Sequence, residues 1–302
     1  MRTEKGCGLS DFALFMSGSL FTTDYLVEAV ASTSAYLAVD IADLRARLDD
    51  IAAKFPKNAR TNESQTEDDF IWPVLAALGW SESLRQQNLT VTGRDDVPDG
   101  LLFEDAAAKA AANAQDDQYR RYSHGLAVVE SKRWARPLDR ASGRDEVTAP
   151  STQMLRYLRR IDDLTTGKLR WGILTNGIKW RLYWAGARSV SEEFLEVDIG
   201  RVLGLDGGDD LFATDADRDH WLRVFAVMFA RDAFIKDGAD TPSSVQTKSG
   251  LTATAPFAVT AASCCRSLLR TLNESGTLGS GHSSDPYARG SSSADRLSRW
   301  LG

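Results

Sequence analysis

An apolar run, Ala127-Val128-Val129, ends in Glu130-Ser131-Lys132, and a second short extended segment carries Pro98-Asp99. Side chains alternate between the two faces of a strand, so Glu130 and Lys132 emerge together while Ser131 points the other way. A carboxylate and an ammonium then share one small space. If Asp99 ends a neighbouring strand, two carboxylates converge beside that ammonium, an oxygen-donor set suited to a hard divalent cation such as Mg²⁺. Lys132 would then lie beside metal-bound water. The same residues could equally form a surface ion pair where a strand leaves the core, so the elements around them decide.

Those elements are legible in outline. Asn62 is placed to cap a helix, with Gln65 in the capping-box position and Phe70, Ile71, Val74, Leu75 and Leu78 as its apolar stripe. Glu63 and Glu67 lie one turn apart near its start. Pro73 predicts a kink and Gly79 a stop. Leu89 to Thr92 reads as a first strand, Gly93 to Pro98 as a tight connection and Asp99 to Phe103 as a second strand. After an alanine-rich helical insertion, Ala106 to Gln115, comes Leu126 to Lys132, apolar on both faces as a covered central strand should be. Pro150 opens a helix with Met154, Leu158 and Ile161 on one face. Gln153 and Tyr157 stand one turn apart on an adjacent face, able to close over the cation site. Trp171 to Thr175 and Ile178 to Tyr183 flank Asn176-Gly177, a signal for a type I′ hairpin, and Phe194 to Ile199 reads as a further strand.

Two helices are expected before this core, over Phe21 to Leu37 and from Asp40 to Pro56, and one after it carrying Trp221, Leu222, Phe225, Met228 and Phe229. The predicted fold class is α/β, a mixed central sheet flanked by helices. The chain divides into an N-terminal helical segment (1–61), a core (62–200), a helical extension (201–237) and a Ser, Thr, Gly and Ala-rich tail (238–302) expected to be poorly ordered, where only Leu268, Leu269 and Leu272 hint at a helix.

With 302 residues, 43% of them hydrophobic, a sizeable core is expected. No apolar stretch approaches a membrane span and no leader pattern opens the chain, which predicts a cytoplasmic protein without a membrane partner. Cys7, Cys264 and Cys265 supply neither a disulfide framework nor paired Cys-x-x-Cys ligands. The formal net charge of −6 argues against indiscriminate binding to polyanions. Positive charge nevertheless gathers around the candidate site in Lys132, Arg133, Arg136, Arg140, Arg144, Arg156, Arg159 and Arg160, as a phosphate backbone would require.

In this order, the signals resemble a PD-(D/E)XK nuclease, and more narrowly the N-terminal nuclease region of single-chain type IIG restriction-modification enzymes. The matching phrases are Leu20 to Leu26, Asn62 to Glu67, Pro73 to Trp80, Val129 to Trp134 and Gly172 to Gly177. The resemblance implies a restriction-endonuclease-like sheet in which Asp99 and Glu130 hold Mg²⁺ with the main-chain carbonyl of Ser131, while Lys132 positions or activates water. Such a cation polarises a scissile phosphate and lowers the pKa of bound water. Glu63 resembles the acidic residue of the family's first helix, with Glu67 the competing assignment. Gln153 and Tyr157 resemble the Gln-x-x-x-Tyr element of RecB-like nucleases. Arg133, Arg136, Arg156 and Tyr157 are the residues expected to meet DNA.

The chain also departs from that family. The single-chain enzymes continue into a methyltransferase and a target-recognition region, and no motif for S-adenosylmethionine follows here. A methyltransferase or specificity subunit is therefore an expected partner, beside DNA itself. Two other functions stay open from the sequence: a non-catalytic DNA-binding or assembly subunit on a nuclease scaffold, and a repair exonuclease.

Overall fold

Short runs of alternating and β-branched residues pair into a single seven-stranded sheet in the computed structural model, which describes residues 14–56, 61–93, 96–141, 148–205 and 213–235. The strands are β1 (Met16–Ser17), β2 (Ser83–Arg85), β3 (Gly100–Leu102), β4 (Ala127–Ser131), β5 (Trp171–Thr175), β6 (Lys179–Trp184) and β7 (Phe194–Asp198), in the order β1-β7-β6-β5-β4-β3-β2. All neighbours are antiparallel except β4 and β5. Parallel neighbours need a crossover, and the helix Pro150–Thr165 supplies it. The helices are α1 (Ser34–Ala38), α2 (Ile41–Lys54), α3 (Glu63–Thr66), α4 (Trp72–Ala77), α5 (Ala106–Asn113), α6 (Gln118–Arg121), that crossover α7, α8 (Ile199–Val202) and α9 (Asp215–Phe229).

Alternation along the strands builds a core on each face. Ala127, Val129, Ile173 and Val197 pack with Leu48 of α2, Leu75 of α4 and Phe225 of α9. Val128, Leu101, Leu174 and Tyr183 pack with Ala112 of α5 and Met154 and Leu158 of α7. All five residues of β4 are buried, as expected of a strand covered on both sides. The α2 segment joins the first of these cores, so the residues before 62 add to the sheet domain's packing. Among the described residues no helix is long and apolar enough to cross a membrane.

Several local expectations are corrected. The first helix is broken into a wide π turn, Tyr25–Ala29, a 3₁₀ turn and then α1. Leu89 to Thr92 is not a strand, because Asn88 folds the chain back on itself. Its amide nitrogen donates to the Gly93 carbonyl at 2.7 Å and its oxygen accepts from Thr90. Asn176-Gly177 is not a type I′ turn: Gly177 has φ +83, whereas Asn176 is not in the left-handed region. Instead Asn176 Oδ1 accepts the N–H groups of Ile178 and Lys179. At Pro73, where a kink is expected, the helix is irregular: a π turn at Glu67–Ile71, in which Trp72 N–H donates five residues back to Glu67, gives way to α4 with Pro73 in its first turn. Arg94, Asp95, Arg144, the three cysteines and the tail from residue 238 lie outside the described residues.

Candidate functional site

The register of the central strands brings the distant acids together. Gly100 pairs with Val129, so one step further along an antiparallel pair Asp99 stands opposite Glu130. Asp99 is fixed there by β4 itself: its Oδ2 accepts the Ser131 N–H at 2.7 Å and lies 2.8 Å from the Ser131 hydroxyl. Gly100 is required beside it, because a Cβ at that position would lie 2.4 Å from the Trp72 ring.

Glu130 and Lys132 project on the α7 face, as alternation demands, and are 1% and 5% exposed. The Lys132 ammonium donates to Glu130 Oε1 at 2.6 Å. Glu130 Oε2 is buried and has no hydrogen-bond partner. Burial, followed by the neighbouring charge of Asp99, pushes the Glu130 carboxyl up to about 8, despite the opposing pull of Lys132. For Lys132, burial works against the charge, but Glu130 and Glu63 outweigh it and hold the ammonium above its ordinary value.

Gln153 and Tyr157 are brought to this group by α7. The Gln153 amide donates to the Tyr157 phenol oxygen at 2.6 Å. Tyr157 is buried, and that burial, with the charge of Glu130 next, raises its phenol to about 12. It therefore stays protonated and can only serve as a neutral hydrogen-bonding group.

Both acids at the start of the first core helix reach β4, from the opposite face of the sheet. Glu67 Oε1 lies 2.7 Å from the Ser131 hydroxyl, the same hydroxyl that approaches Asp99. One hydroxyl carries one proton, so it serves one carboxylate at a time. Burial and the Asp99 charge raise the Glu67 carboxyl above its ordinary value. Arg85 holds the other side of Glu67 at 3.3 Å and stacks 3.7 Å above the Trp72 ring. Glu63 instead faces the end of β4. It lies 3.8 Å from Lys132 Nζ and 3.9 Å from Arg136, and accepts the Arg133 N–H at 3.4 Å. The segment after β4 is docked to the helix by Trp134, whose N–H donates to Thr66 and whose ring packs on Phe55, Phe70 and Gly177.

The expected DNA contacts are placed less uniformly. Arg133 is exposed at the site, whereas Arg136 and Tyr157 are buried. Arg156 is half-exposed and pairs at 2.8 Å with Asp96, a buried loop acid that also binds Arg160. Sequence reasoning missed Asp96, Arg85 and the link from Glu67 to Ser131. The only signal was proximity in sequence to Asp99 and Glu63, since nothing local marks a loop acid as buried.

Among the described residues no three His, Cys, Asp or Glu side chains come together as a metal cage. What the geometry does offer is an orphaned buried carboxylate oxygen facing the company of a second carboxylate, an ammonium and a phenol. Comparison of the chain with protein-family models, with curated proteins and with solved structures gives no match.

Proposed function

We propose that this chain hydrolyses DNA phosphodiester bonds as the Mg²⁺-dependent endonuclease module of a restriction-modification system, on a restriction-endonuclease-like sheet. The observation that carries the reading is Glu130 Oε2: a carboxylate oxygen removed from water, without a donor, beside Lys132 and across from Asp99. Burying a carboxylate oxygen unpaired is costly, so the carboxyl holds a proton up to about 8 unless a cation takes that place. A cation fits that vacancy of partners. The order of elements supports the fold assignment as well: a helix with Glu63, the β2-β3-β4 meander, the crossover α7 and the parallel strand β5 follow one another as the resemblance implies.

Asp99, Glu130 and the main-chain carbonyl of Ser131 would hold Mg²⁺, water completing its shell, since this ion keeps several waters and needs few carboxylates. When bound it supplies polarisation of the scissile phosphate and a lowered pKa for water. The protein's own contributions are positional. Ser131 fixes Asp99 through its N–H. Glu130 anchors Lys132, whose ammonium keeps its proton and so acts as a donor, orienting water and countering negative charge that grows on the phosphate. Gln153 and Tyr157 line the same space with neutral hydrogen-bonding groups, and Glu63 limits how far Lys132 can swing.

Base readout needs well-placed groove contacts, whereas the arginines here mainly account for phosphate attraction, so recognition is assigned to another component, a methyltransferase or specificity subunit. The test is cleavage of closed circular DNA by the purified chain with Mg²⁺. Asp99→Ala and Lys132→Ala should each abolish cutting while the proteins remain folded. Undiminished cutting by both variants would reject the assignment, and strict dependence on a free DNA end would favour the exonuclease reading.

A further inference from the structure

Two of the three arginines of α7 are committed to one buried acid, and only Arg159 is left exposed on that helix without an ion pair among the described residues. Arg156 and Arg160 both hold Asp96, which is 2% exposed. A phosphate drawn to them would leave a buried carboxylate short of partners, a costly exchange. The other flank of the Asp99, Glu130 and Lys132 group is different. There the segment Ala135 to Arg140, the turn at Asn176 to Lys179 and the ends of β1 and β7 enclose a cleft of about 610 Å³.

Five cationic side chains line that cleft, Arg136, Arg140, Lys179, Arg181 and Arg201, against three carboxylates. Its floor is a network centred on Arg181, so Glu196 keeps a guanidinium partner when the half-exposed Lys179 turns to a phosphate, as Asp96 would not if Arg156 and Arg160 did. Arg181 binds Asp139 through two bonds of 2.6 and 2.7 Å and Glu196 at 2.5 Å, and Lys179 shares Glu196 at 2.8 Å. One wall is fixed as well, because Asn176 donates to the Arg136 carbonyl at 2.7 Å and accepts the Ala135 N–H at 3.1 Å. The cleft opens beside the reacting group: Arg136 lies 3.9 Å from Glu63, which lies 3.8 Å from Lys132 Nζ.

Resting on the DNA-cleaving reading, we propose that this cleft holds the DNA strand on one side of the scissile phosphate, its sugar-phosphate backbone running along Arg140 and Lys179 above the buried Arg136. The volume is in the range of small-molecule clefts, so it admits a stretch of one strand and not a duplex. Fixed cations on a rigid floor suit a backbone that carries one charge per nucleotide and no sequence information at these contacts. Asp139, whose side chain is 63% exposed at the cleft, is the element that opposes the strand.

The experiment is fluorescence-anisotropy binding of a labelled DNA with Ca²⁺ in place of Mg²⁺, between 50 and 200 mM salt, with Mg²⁺-dependent cleavage measured in parallel. Arg140→Gln/Lys179→Gln should weaken binding about tenfold and lower the salt slope by about 1.4, since each lost contact to a single strand removes about 0.7 from it. Asp139→Asn should tighten binding, and Arg140→Lys/Lys179→Arg should retain it. Removing the same charge from the exposed side of α2, by Arg47→Gln/Lys54→Gln, should change neither quantity. Unaltered affinity and slope in a folded Arg140→Gln/Lys179→Gln protein that still cleaves would overturn the cleft and leave the hydrolytic reading standing. Loss of binding in that variant, with a wild type that never cleaves, would support the cleft and overturn hydrolysis. A wild type that binds no DNA would overturn both.

Discussion

Replacing Glu130 by Gln should abolish DNA cleavage and, above neutral pH in the absence of divalent cations, make the protein more stable. Burial and Asp99 push the Glu130 carboxyl to about 8, from an ordinary 4.5. Between those values the native protein keeps a proton that the unfolded chain has released. The native state therefore binds more protons, and stability falls as pH rises through this window, levelling off above the folded value. Each pH unit corresponds to about 1.4 kcal/mol, so the full window is worth on the order of 5 kcal/mol as an upper bound. Gln cannot ionise, and it keeps an oxygen for the Lys132 ammonium, which also retains Glu63 at 3.8 Å. The value of about 8 already contains the attraction of Lys132, so the variant should be favoured at pH 9 by up to about 5 kcal/mol.

Urea unfolding in EDTA from pH 5.5 to 9 measures this directly. The difference between variant and wild type is the quantity to follow, because it cancels the other titrating groups. His220, for example, is held below its ordinary value, chiefly by burial, and contributes stability that is present above 6.5 and lost as pH falls below it. Its slope is opposite in sign and common to both proteins. A wild type whose stability relative to Glu130→Gln stays constant from pH 5.5 to 9 would refute the reasoning, since the carboxyl would then be no more burdened by burial than in the unfolded chain. Addition of Mg²⁺ should restore stability to the wild type alone.

Glu196→Gln should act in the opposite sense, destabilising the protein by about 3 kcal/mol at pH 7 in the same urea assay, because Arg181 and Lys179 lose a buried partner. Gly100→Ala forces a Cβ to within 2.4 Å of the Trp72 ring and should cost about 1–3 kcal/mol in thermal or urea unfolding. Because Gly100 follows Asp99, its cleavage rate should fall further than its stability, which a kcat measurement at saturating DNA on the folded fraction would show.

Period was enough to read β4 and α7. Val128, Glu130 and Lys132 alternate with Val129 and Ser131, and Met154, Leu158 and Ile161 recur at helical spacing, so the residues on the α7 face of the site were placed by geometry that needs no tertiary information. Three-residue strands carry no such period. β2, Ser83–Arg85, is defined by pairing with β3, whereas the apolar alternation at Leu89 to Thr92 lost to the side-chain bonds of Asn88. Glu67 competes with Glu63 as the first-helix acid because α-helical spacing puts the two on one face. The π turn that begins at Glu67 separates their roles, sending one to Ser131 and the other to Lys132. Asp96 shows the remaining gap: a loop acid becomes buried only when two arginines from a helix more than fifty residues away close on it.

Among the described residues the sheet holds two ion pairs with both partners buried, and they are satisfied differently. Arg181 and Glu196 are 5% and 4% exposed, and their charges are saturated: Glu196 receives Arg181, Lys179 and Ser17. Although burial works against it, those cations outweigh burial and hold Glu196 below its ordinary value. That pair needs nothing further. Glu130 is buried as deeply, yet it has Lys132 on one oxygen and no partner on the other, with a second acid opposite, and its carboxyl rises instead of falling. Apolar side chains of similar volume would serve stability better in that position. On the proposed reading, a cation would offset that cost at the strand end, with Asp99 across from Glu130 as its second oxygen group.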